Sequence, residues 1–264
     1  MEHYLDNSAT TRVCPEAAEA ALDAMLNTYG NPSSTYTKGR EAKKLLDRSR
    51  KAVAAALGCD PTELVFTSCG SESDNWALLG GAEAMQRKGR HIITSMVEHD
   101  AIRNTAAELE RRGFEVTYLR PDSTGRIAPE AVRAALRADT ILVSLMLVNN
   151  ETGAVTDISA VSRVLKEEKS AALLHTDAVQ GFLKLDFTAK SLGADLISVS
   201  GHKIHAPKGV GALYIRKGLR LQPFILGGAQ EDGSPPGSPV PGILQARTLE
   251  WAAISLLQGI FPTQ

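Results

Sequence analysis

The sequence predicts an α/β protein with one open, mostly parallel sheet and helices on both faces. Apolar runs of strand length alternate along the chain with amphipathic stretches of helix length, which is typical of βαβ units. Hydrophobic residues make up 43% of the 264 residues and charged residues 22%, as in ordinary globular domains. No internal repeat or low-complexity segment interrupts the alternation before residue 234. We therefore expect one open sandwich around a single sheet.

Seven apolar runs are the candidate strands, and six amphipathic stretches with charged polar faces are the candidate helices. The predicted strands span residues 64–67, 91–95, 115–119, 140–148, 172–176, 196–200 and 212–215. The predicted helices span residues 15–28, 39–57, 73–88, 100–112, 129–137 and 158–169. Ligands bind such sheets at the carboxyl ends of the strands, so unusual residues at those ends are the first candidates for a site.

The charge balance argues against a polyanion as partner. Lys and Arg number 29 and Asp and Glu 30, which leaves a formal net charge of -1. A dedicated nucleic-acid or membrane-surface binder needs a strong field of one sign, so we expect a small-molecule substrate, no nucleic acid and no membrane.

The first six residues include acids where a signal peptide needs basic ones, and no run approaches the roughly 18 apolar residues of a membrane span. These observations predict a cytoplasmic protein.

Cysteine usage predicts neither a disulfide framework nor a zinc site. The three cysteines, Cys14, Cys59 and Cys69, are odd in number and lack CxxC spacing. We expect reduced thiols and no metal.

The segment from residue 66 to residue 75 passes from a predicted strand through a turn of small residues into a helix. Backbone N–H groups at a helix N-terminus, with serine hydroxyls beside them, can bind a phosphate group. A capping box formed by Ser71 and Asp74 is the alternative explanation. No Gly-Lys-Ser/Thr follows the turn, so the segment is not a P-loop.

Two further strand ends carry residues that are costly to bury alone. Asp177 ends one apolar run, and Lys203 follows another in a Ser/Gly/His turn. A carboxylate, a lysine and a phosphate cradle, each from a separate strand end, are what pyridoxal phosphate (PLP) needs. The alternative is a structural ion pair between Asp177 and Lys203.

Motifs in a characteristic order extend these signals along most of the chain. They lie at residues 4–11, 31–34, 66–75, 97–99, 149–153, 175–180, 200–209 and 227–233. In these motifs the chain resembles the cysteine desulfurases of iron-sulfur cluster assembly, in the class V branch of the aspartate-aminotransferase fold (PLP fold type I). The resemblance implies an enzyme that converts L-cysteine to L-alanine and transfers the sulfur as a persulfide for iron-sulfur cluster or thio-cofactor assembly.

Roles for individual residues are carried over from the resemblance by position. It implies that Lys203 binds the cofactor covalently and later moves protons, that Asp177 holds the pyridinium nitrogen, and that His99 stacks on the pyridine ring and assists proton transfer. The remaining implied contacts are Gln180 and Asn150 at the cofactor O3' side, Asn150 also facing the substrate carboxylate, and Gly70, Ser71, Ser200 and His202 at the phosphate. A homodimer and an iron-sulfur scaffold or other sulfur acceptor protein are the implied partners.

The other four histidines are expected to be structural, since a lone histidine is seldom a ligand. They are His3, His91, His175 and His205. Cys69 and Ala206 occupy glycine positions of the family pattern, where a left-handed backbone would cost about 1 kcal/mol.

The chain departs from the family after Gly233. The family's arginine and Gly-Thr pair are missing there, and Ser238 is the residue that can replace the threonine. Residues 234–264 hold two charged residues and five of the 12 prolines, which predicts a divergent tail from a truncated, frame-shifted or chimeric reading frame. We therefore predict an arm at 1–14, a large PLP-binding domain at 15–233 and this tail in place of the small domain that carries the nucleophilic cysteine loop.

Two alternatives to an active desulfurase stay open. One is a PLP-binding or dimerising remnant that transfers no sulfur. The other is a different class V enzyme, a selenocysteine lyase or an aminotransferase, although the motifs at 97–99 and 230–231 favour a desulfurase over an aminotransferase. The sequence does not decide between cysteine and selenocysteine.

Overall fold

The computed structural model describes residues 3–222 and 224–225, which form seven strands, seven α-helices and two 3-10 turns. The strands are β1 Leu64–Thr67, β2 His91–Ser95, β3 Glu115–Leu119, β4 Thr140–Ser144, β5 Leu173–Asp177, β6 Leu196–Ser200 and β7 Gly211–Ile215. The helices are α1 Pro15–Asn27, α2 Thr37–Leu57, α3 Gly70–Met85, α4 Asp100–Arg111, α5 Pro129–Ala135, α6 Ile158–Glu167 and α7 Ala189–Leu192. The 3-10 turns are Pro61–Glu63 and Gly201–Lys203.

All seven strands belong to one sheet, in the order β1-β7-β6-β5-β4-β2-β3. The strands from β6 to β3 pair in parallel, whereas β7 is antiparallel to both β6 and β1. The predicted seven-stranded, mostly parallel sheet is therefore confirmed. Its carboxyl edge gathers the ends of β4, β5 and β6.

Apolar cores cover both faces of the sheet, because successive strand residues point to opposite sides. Ile92 and Leu196 face α3 and α4, whereas their neighbours Ile93 and Ile197 face α2, α5, α6 and α7. The prediction of helices on both faces is confirmed.

Two predicted boundaries are wrong at the carboxyl edge. Strand β4 ends at Ser144 and not at residue 148, although Leu145 N and Leu147 N still donate to β5 carbonyls, and the chain doubles back where Thr156 N donates to Leu147 O at 2.9 Å. Helix α3 begins at Gly70, three residues early. Its N-cap is Cys69, which makes no side-chain cap, and Asp74 is buried inside the helix. The capping box of Ser71 and Asp74 is therefore wrong.

The N-terminal arm packs along the loop that follows β6. Thr11 N donates to His202 O at 2.8 Å, and Cys14 N donates to His205 O at 3.0 Å. These contacts bring the start of the chain to the carboxyl edge of the sheet. The boundaries of the predicted arm and large domain stay predictions, and the 227–233 motif, Ser238 and the 234–264 tail lie outside the described residues. Within the described part of the chain, no helix is long and apolar enough to cross a membrane.

Candidate active site

A cavity of about 520 Å³ opens at the carboxyl edge of the sheet, between the ends of β5 and β6 and the start of α3. All nine residues singled out from the sequence line this cavity. They are Gly70, Ser71, His99, Asn150, Asp177, Gln180, Ser200, His202 and Lys203. The fold thus collects residues up to 133 positions apart in sequence into one place, and their roles stay predictions.

One end of the cavity is suited to an anion. Gly70 begins α3, and a Cβ at this position would lie 2.7 Å from Val179 Cγ2, so the backbone lies close to its neighbour. The hydroxyl of Ser200 is buried and has no hydrogen-bond partner among the residues that the structure describes. Exposed helix N–H groups and an unused hydroxyl are what a phosphate group binds. Cys69 has an extended backbone with φ of -171°, so its side chain causes no strain beside this cradle.

The floor of the cavity is Asp177, at the end of β5. Its Oδ1 accepts a hydrogen bond from Val179 N at 2.9 Å. Burial raises the pKa of the carboxyl, while the backbone hydrogen bond and the charges of His99 and Lys203 oppose the shift. Within the described residues Asp177 and Lys203 form no ion pair, because the Lys203 ammonium bonds to backbone carbonyls instead. The structural ion pair considered from the sequence is therefore wrong.

A cluster of buried polar residues lies beneath Asp177, and sequence reasoning missed it. Asp74 is 1% exposed, and its Oδ1 lies 3.7 Å from His175 Nε2 and has no hydrogen-bond partner within the described part of the chain. Burial and the nearby Asp177 raise the pKa of Asp74 well above its usual range. Burial also raises the pKa of Glu98 to about 8 and lowers that of His175 to about 3. The sequence feature that could have indicated this cluster is His175, which lies two positions before Asp177 and therefore on the same face of β5.

The mouth of the cavity is formed by Lys203 and the N-terminal arm. Lys203 Nζ donates to Ser8 O at 2.5 Å and to Ala9 O at 2.8 Å. Burial and the charge of Lys184 lower the pKa of Lys203, while Asp177 and Asp6 oppose the shift. A lysine with a lowered pKa offers more neutral amine for attack on a carbonyl group. The family resemblance includes residues 4–11 of the arm, but the sequence did not predict their contact with Lys203.

His202 lies beside Lys203 and shares this electrostatic setting. Burial, and next the charge of Lys203, lower its pKa to about 4. The lowered pKa favours the neutral imidazole, which can donate one hydrogen bond from its ring N–H.

His99 and Asn150 lie on loops across the cavity. His99 is the N-cap of α4, and its Nδ1 accepts from Ala101 N at 3.1 Å. Asn150 Nδ2 donates to Glu151 Oε1 at 2.7 Å. The neighbouring Asn149, which was not singled out, fixes the Asn150 loop by donating to Val97 O at 2.9 Å.

The remaining histidines and cysteines lie mostly away from the cavity. His91 is buried between the hydroxyls of Thr140 and Thr117, each 2.8 Å from a ring nitrogen. Of the three cysteines, all reduced, Cys69 alone lines the cavity. His205 has a left-handed backbone with φ of 63°, and Ala206 does not, so the expected strain at Ala206 is absent. No cluster of three or more metal-ligating side chains occurs in the part of the chain that the structure describes.

Comparison with known proteins places these features in a family. The model of the aminotransferase class-V family matches residues 3–235. The chain is 48% identical to the cysteine desulfurase IscS of Methanosarcina thermophila over 242 residues and 46% identical to a cysteine desulfurase of Nostoc sp.. It covers 59% and 60% of the lengths of these two proteins, and they match 91% of the chain.

Solved structures agree with the sequence comparison. A NifS-like protein superposes with a TM-score of 0.89 at 39% identity, over 97% of this chain and 69% of the other. The structure of SspA in complex with cysteine gives a TM-score of 0.86 at 36% identity, over 96% and 72% of the two chains. The resemblance to cysteine desulfurases and their fold is confirmed. Because the family model matches almost nine tenths of the chain, the chain belongs to the class-V aminotransferase family.

Proposed function

We propose that these residues form the cofactor-binding part of a PLP-dependent cysteine desulfurase. The observation that carries the proposal is that Lys203, Asp177 and the N-terminus of α3 line one cavity. Curated relatives with cysteine desulfurase activity in their names support the substrate class. In the whole protein the proposed reaction takes sulfur from L-cysteine, leaves L-alanine and passes the sulfur to an iron-sulfur scaffold or another acceptor.

The groups left open in the cavity fit PLP. The unpartnered Ser200 hydroxyl and the start of α3 suit its phosphate. Asp177 is buried and forms no ion pair with the residues that the structure describes, so it suits a protonated ring nitrogen. The amine of Lys203, now held by exchangeable backbone carbonyls, suits its aldehyde.

Bound PLP would act as an electron sink for the amino acid substrate. Lys203 would hold the cofactor covalently and, once released, carry a proton at the substrate α carbon. Asp177 would keep the ring nitrogen protonated, since its ionised form is stabilised by that positive charge. His99 would cover the ring and assist proton transfer. Asn150 and Gln180 would orient the substrate and cofactor oxygens.

Sulfur transfer needs a thiol. A thiolate attacks the sulfur of cysteine, the carbon-sulfur bond breaks, a persulfide S–S bond forms, and the carbon that lost sulfur takes a proton to give alanine. Cys69 is the one cysteine that lines the cavity, and it lies at the end proposed for the phosphate. The acceptor thiol is therefore Cys69 or a residue outside these 264, and we favour the latter.

Borohydride reduction with PLP tests the cofactor assignment. We expect the protein to become yellow and Lys203 to carry the reduced adduct in a peptide map. Lys203→Ala should lose the adduct and keep some non-covalent cofactor, while Lys208→Ala, a neighbouring control, should behave as the unmodified protein. An adduct that persists at Lys208 or Lys38 in Lys203→Ala would show that the assignment is wrong.

A second candidate, PLP binding without sulfur transfer, is favoured by the position of Cys69. Alanine and sulfide release from L-cysteine, with a reductant present, separates the two candidates. We expect no release from these 264 residues alone and release when they are joined to the C-terminal region of a curated relative. A thiol held next to the substrate sulfur lowers the activation barrier by several kcal/mol. Without such a thiol, we expect no measurable sulfide release. Turnover by the 264 residues alone would identify Cys69 or another internal thiol as the acceptor.

A further inference from the structure

Two backbone carbonyls of the N-terminal arm bind the amine of Lys203 at the mouth of the cavity. Lys203 Nζ donates to Ser8 O at 2.5 Å and to Ala9 O at 2.8 Å. The side-chain amide of Gln180 also donates to Ser8 O, at 2.7 Å. We call the oxygens of Ser8 and Ala9 the carbonyl pair. An ammonium group has three N–H donors and no acceptor, so two converging carbonyls are suited to bind one.

The carbonyl pair is held in place by contacts that do not involve the amine of Lys203. Asp6 Oδ1 accepts from Ser8 Oγ at 3.1 Å and from Ala9 N at 3.2 Å, which closes a turn at the start of the arm. Thr11 is 3% exposed, and its N and Oγ1 both donate to the backbone of the loop that follows β6. We therefore expect the carbonyl pair to keep its position when Lys203 leaves it.

Acidic side chains lie around the carbonyl pair. Asp6 and Glu151 line the same cavity. Burial and the charge of Lys184 lower the pKa of Lys203. The charges of Asp177 and Asp6 oppose this shift and favour the ammonium form. A positively charged group with N–H donors therefore matches both the hydrogen-bonding capacity and the acids of this part of the cavity.

Covalent attachment to an aldehyde removes Lys203 from the carbonyl pair. When an amine reacts with an aldehyde, a carbon–nitrogen bond forms and the aldehyde oxygen leaves as water, so the lysine nitrogen keeps at most one proton. It can then no longer donate separate hydrogen bonds to Ser8 O and Ala9 O. Both residues line the cavity, so their carbonyls become available to a second ammonium group.

We propose that the carbonyl pair is a subsite for the α-ammonium group of the amino acid substrate. The inference rests on the proposed function and adds how the substrate is received. Lys203 occupies the subsite until it attaches to the cofactor, and the substrate ammonium then takes its place.

This position suits the exchange of amines, because it is one that the Lys203 nitrogen itself can reach. In the exchange, the substrate nitrogen forms a bond to the cofactor carbon, and the bond from that carbon to Lys203 breaks. A proton passes from the substrate nitrogen to Lys203, which can then return to its own hydrogen bonds.

The first test uses cofactor-free protein and an NMR titration with two cations. Methylammonium carries three N–H donors, whereas tetramethylammonium carries the same charge and none. We expect Lys203→Ala to bind methylammonium saturably, with a dissociation constant of about 10 mM, and to bind tetramethylammonium about tenfold more weakly. The unmodified protein, whose own lysine fills the subsite, should also bind methylammonium about tenfold more weakly. Lys208→Ala, which truncates a nearby lysine, should behave like the unmodified protein.

Further variants guard against a folding defect in Lys203→Ala. Lys203→Ser opens the same space and should bind methylammonium with about the same affinity. Asp6→Ala, added to Lys203→Ala, removes the turn contacts and a nearby charge and should weaken binding about fivefold. Glu16→Ala, on an exposed acid directly after the arm, is the matched control and should leave binding unchanged.

Three outcomes of these titrations would overturn the proposal. Tetramethylammonium binds as tightly as methylammonium, the unmodified protein binds methylammonium as tightly as Lys203→Ala, or Asp6→Ala has no effect.

L-Alanine and propionate test whether the subsite receives an amino acid. The two molecules have the same carbon chain and carboxylate, but only L-alanine carries an ammonium group. We expect L-alanine to displace methylammonium from Lys203→Ala and propionate to leave it bound. Equal displacement by propionate, or none by L-alanine, would contradict the proposal.

The second test follows the absorbance of PLP-loaded protein while L-alanine is added. We expect Asp6→Ala to raise the half-saturating concentration of L-alanine about fivefold and to leave the limiting rate unchanged, because the subsite acts on the binding of the substrate. Glu16→Ala should change neither value. An unchanged half-saturating concentration in Asp6→Ala would remove the carbonyl pair from substrate binding. If the unmodified protein forms no borohydride-stable adduct, the proposed function fails instead, and the methylammonium titration still decides whether the carbonyl pair binds an ammonium group.

Discussion

The floor and the mouth of the cavity hold their ionisable groups by different means. The floor groups Asp177, Asp74 and Glu98 are at most 6% exposed and lie under the sheet edge. The mouth groups Lys203 and Lys184 are only partly covered, and their hydrogen bonds go to the arm and to a side-chain amide.

This difference separates two ways of controlling a proton. On the floor, burial is the largest cause of every shift and favours the neutral carboxyl, so a positive charge brought close to Asp177 would favour its ionised form. At the mouth, neighbouring charges supplement burial, and the bonds that hold Lys203 can be exchanged. The cationic ring nitrogen of a bound cofactor would stabilise the ionised form of Asp177. Its aldehyde would react with the amine of Lys203, which would then leave the backbone carbonyls of the arm.

The largest effect is expected from Asp177→Asn on the floor. The variant should retain PLP with a modest loss of affinity but exchange the α proton of an amino acid about a hundredfold more slowly, because the carboxylate matters most when negative charge develops on the cofactor. Cofactor titration and proton exchange in D2O, followed by NMR, measure the two effects. Asp186→Asn, on an exposed aspartate, is the control. Equal exchange rates would remove Asp177 from this role.

Glu98→Gln should change how the stability of the cofactor-free protein depends on pH. The folded state raises the pKa of Glu98 from 4.5 to about 8. Between these values the unfolded chain has lost the proton that the folded protein keeps, so stability falls as pH rises through this window. The amide removes this contribution, and we expect a gain on the order of a few kcal/mol at the upper end of the window and none at the lower.

Urea unfolding at both ends of this pH window measures the Glu98 effect. Glu130→Gln, on an exposed side chain of α5, should follow the wild-type dependence. Some slope should persist in Glu98→Gln because Asp74 and Asp177 are shifted in the same direction. A slope as steep as that of the wild type would mean that Glu98 is ionised in the folded protein.

A pair of serines two residues apart on β6 separates binding from stability. Ser200 has a buried hydroxyl without a partner among the described residues, whereas Ser198 Oγ lies 3.0 Å from His175 Nε2. Ser200→Ala should weaken PLP binding about tenfold and leave the urea midpoint unchanged. Ser198→Ala should lower the free energy of unfolding by about 1 kcal/mol and therefore lower the urea midpoint. A loss of stability in Ser200→Ala alone would contradict a phosphate-binding role.

The smallest effect is expected from Cys69→Ser at the start of α3. The backbone of Cys69 is extended, and its sulfur accepts one weak bond from Ser68 Oγ at 3.7 Å. We expect PLP affinity to change by less than about threefold. Cys59→Ser is the comparison away from the cavity. A variant that abolishes sulfide release by the 264 residues would make Cys69 the sulfur acceptor.

The order of elements was predictable because most of them pack as the local pattern indicates. The bounds of β1, β2, β3 and β6 match the predicted runs, since each run is rich in apolar and β-branched residues. The short helix α7 was missed because four residues are too few to show a period. The candidate site residues were found from strand ends and from the family resemblance, because reactive residues after apolar strands are conspicuous in sequence.

The sequence by itself determined the succession of strands and helices and the residues at the carboxyl ends of the strands. Only the tertiary structure decided what surrounds those residues. Ser8 meets Gln180 across 172 positions of the chain, and Asp74 meets His175 through the packing of α3 on the sheet. Local periodicity contains no information on such distant pairs, since they form only when the sheet and its helices pack together. Burial then shifts the pKa values of the residues that this packing brings together.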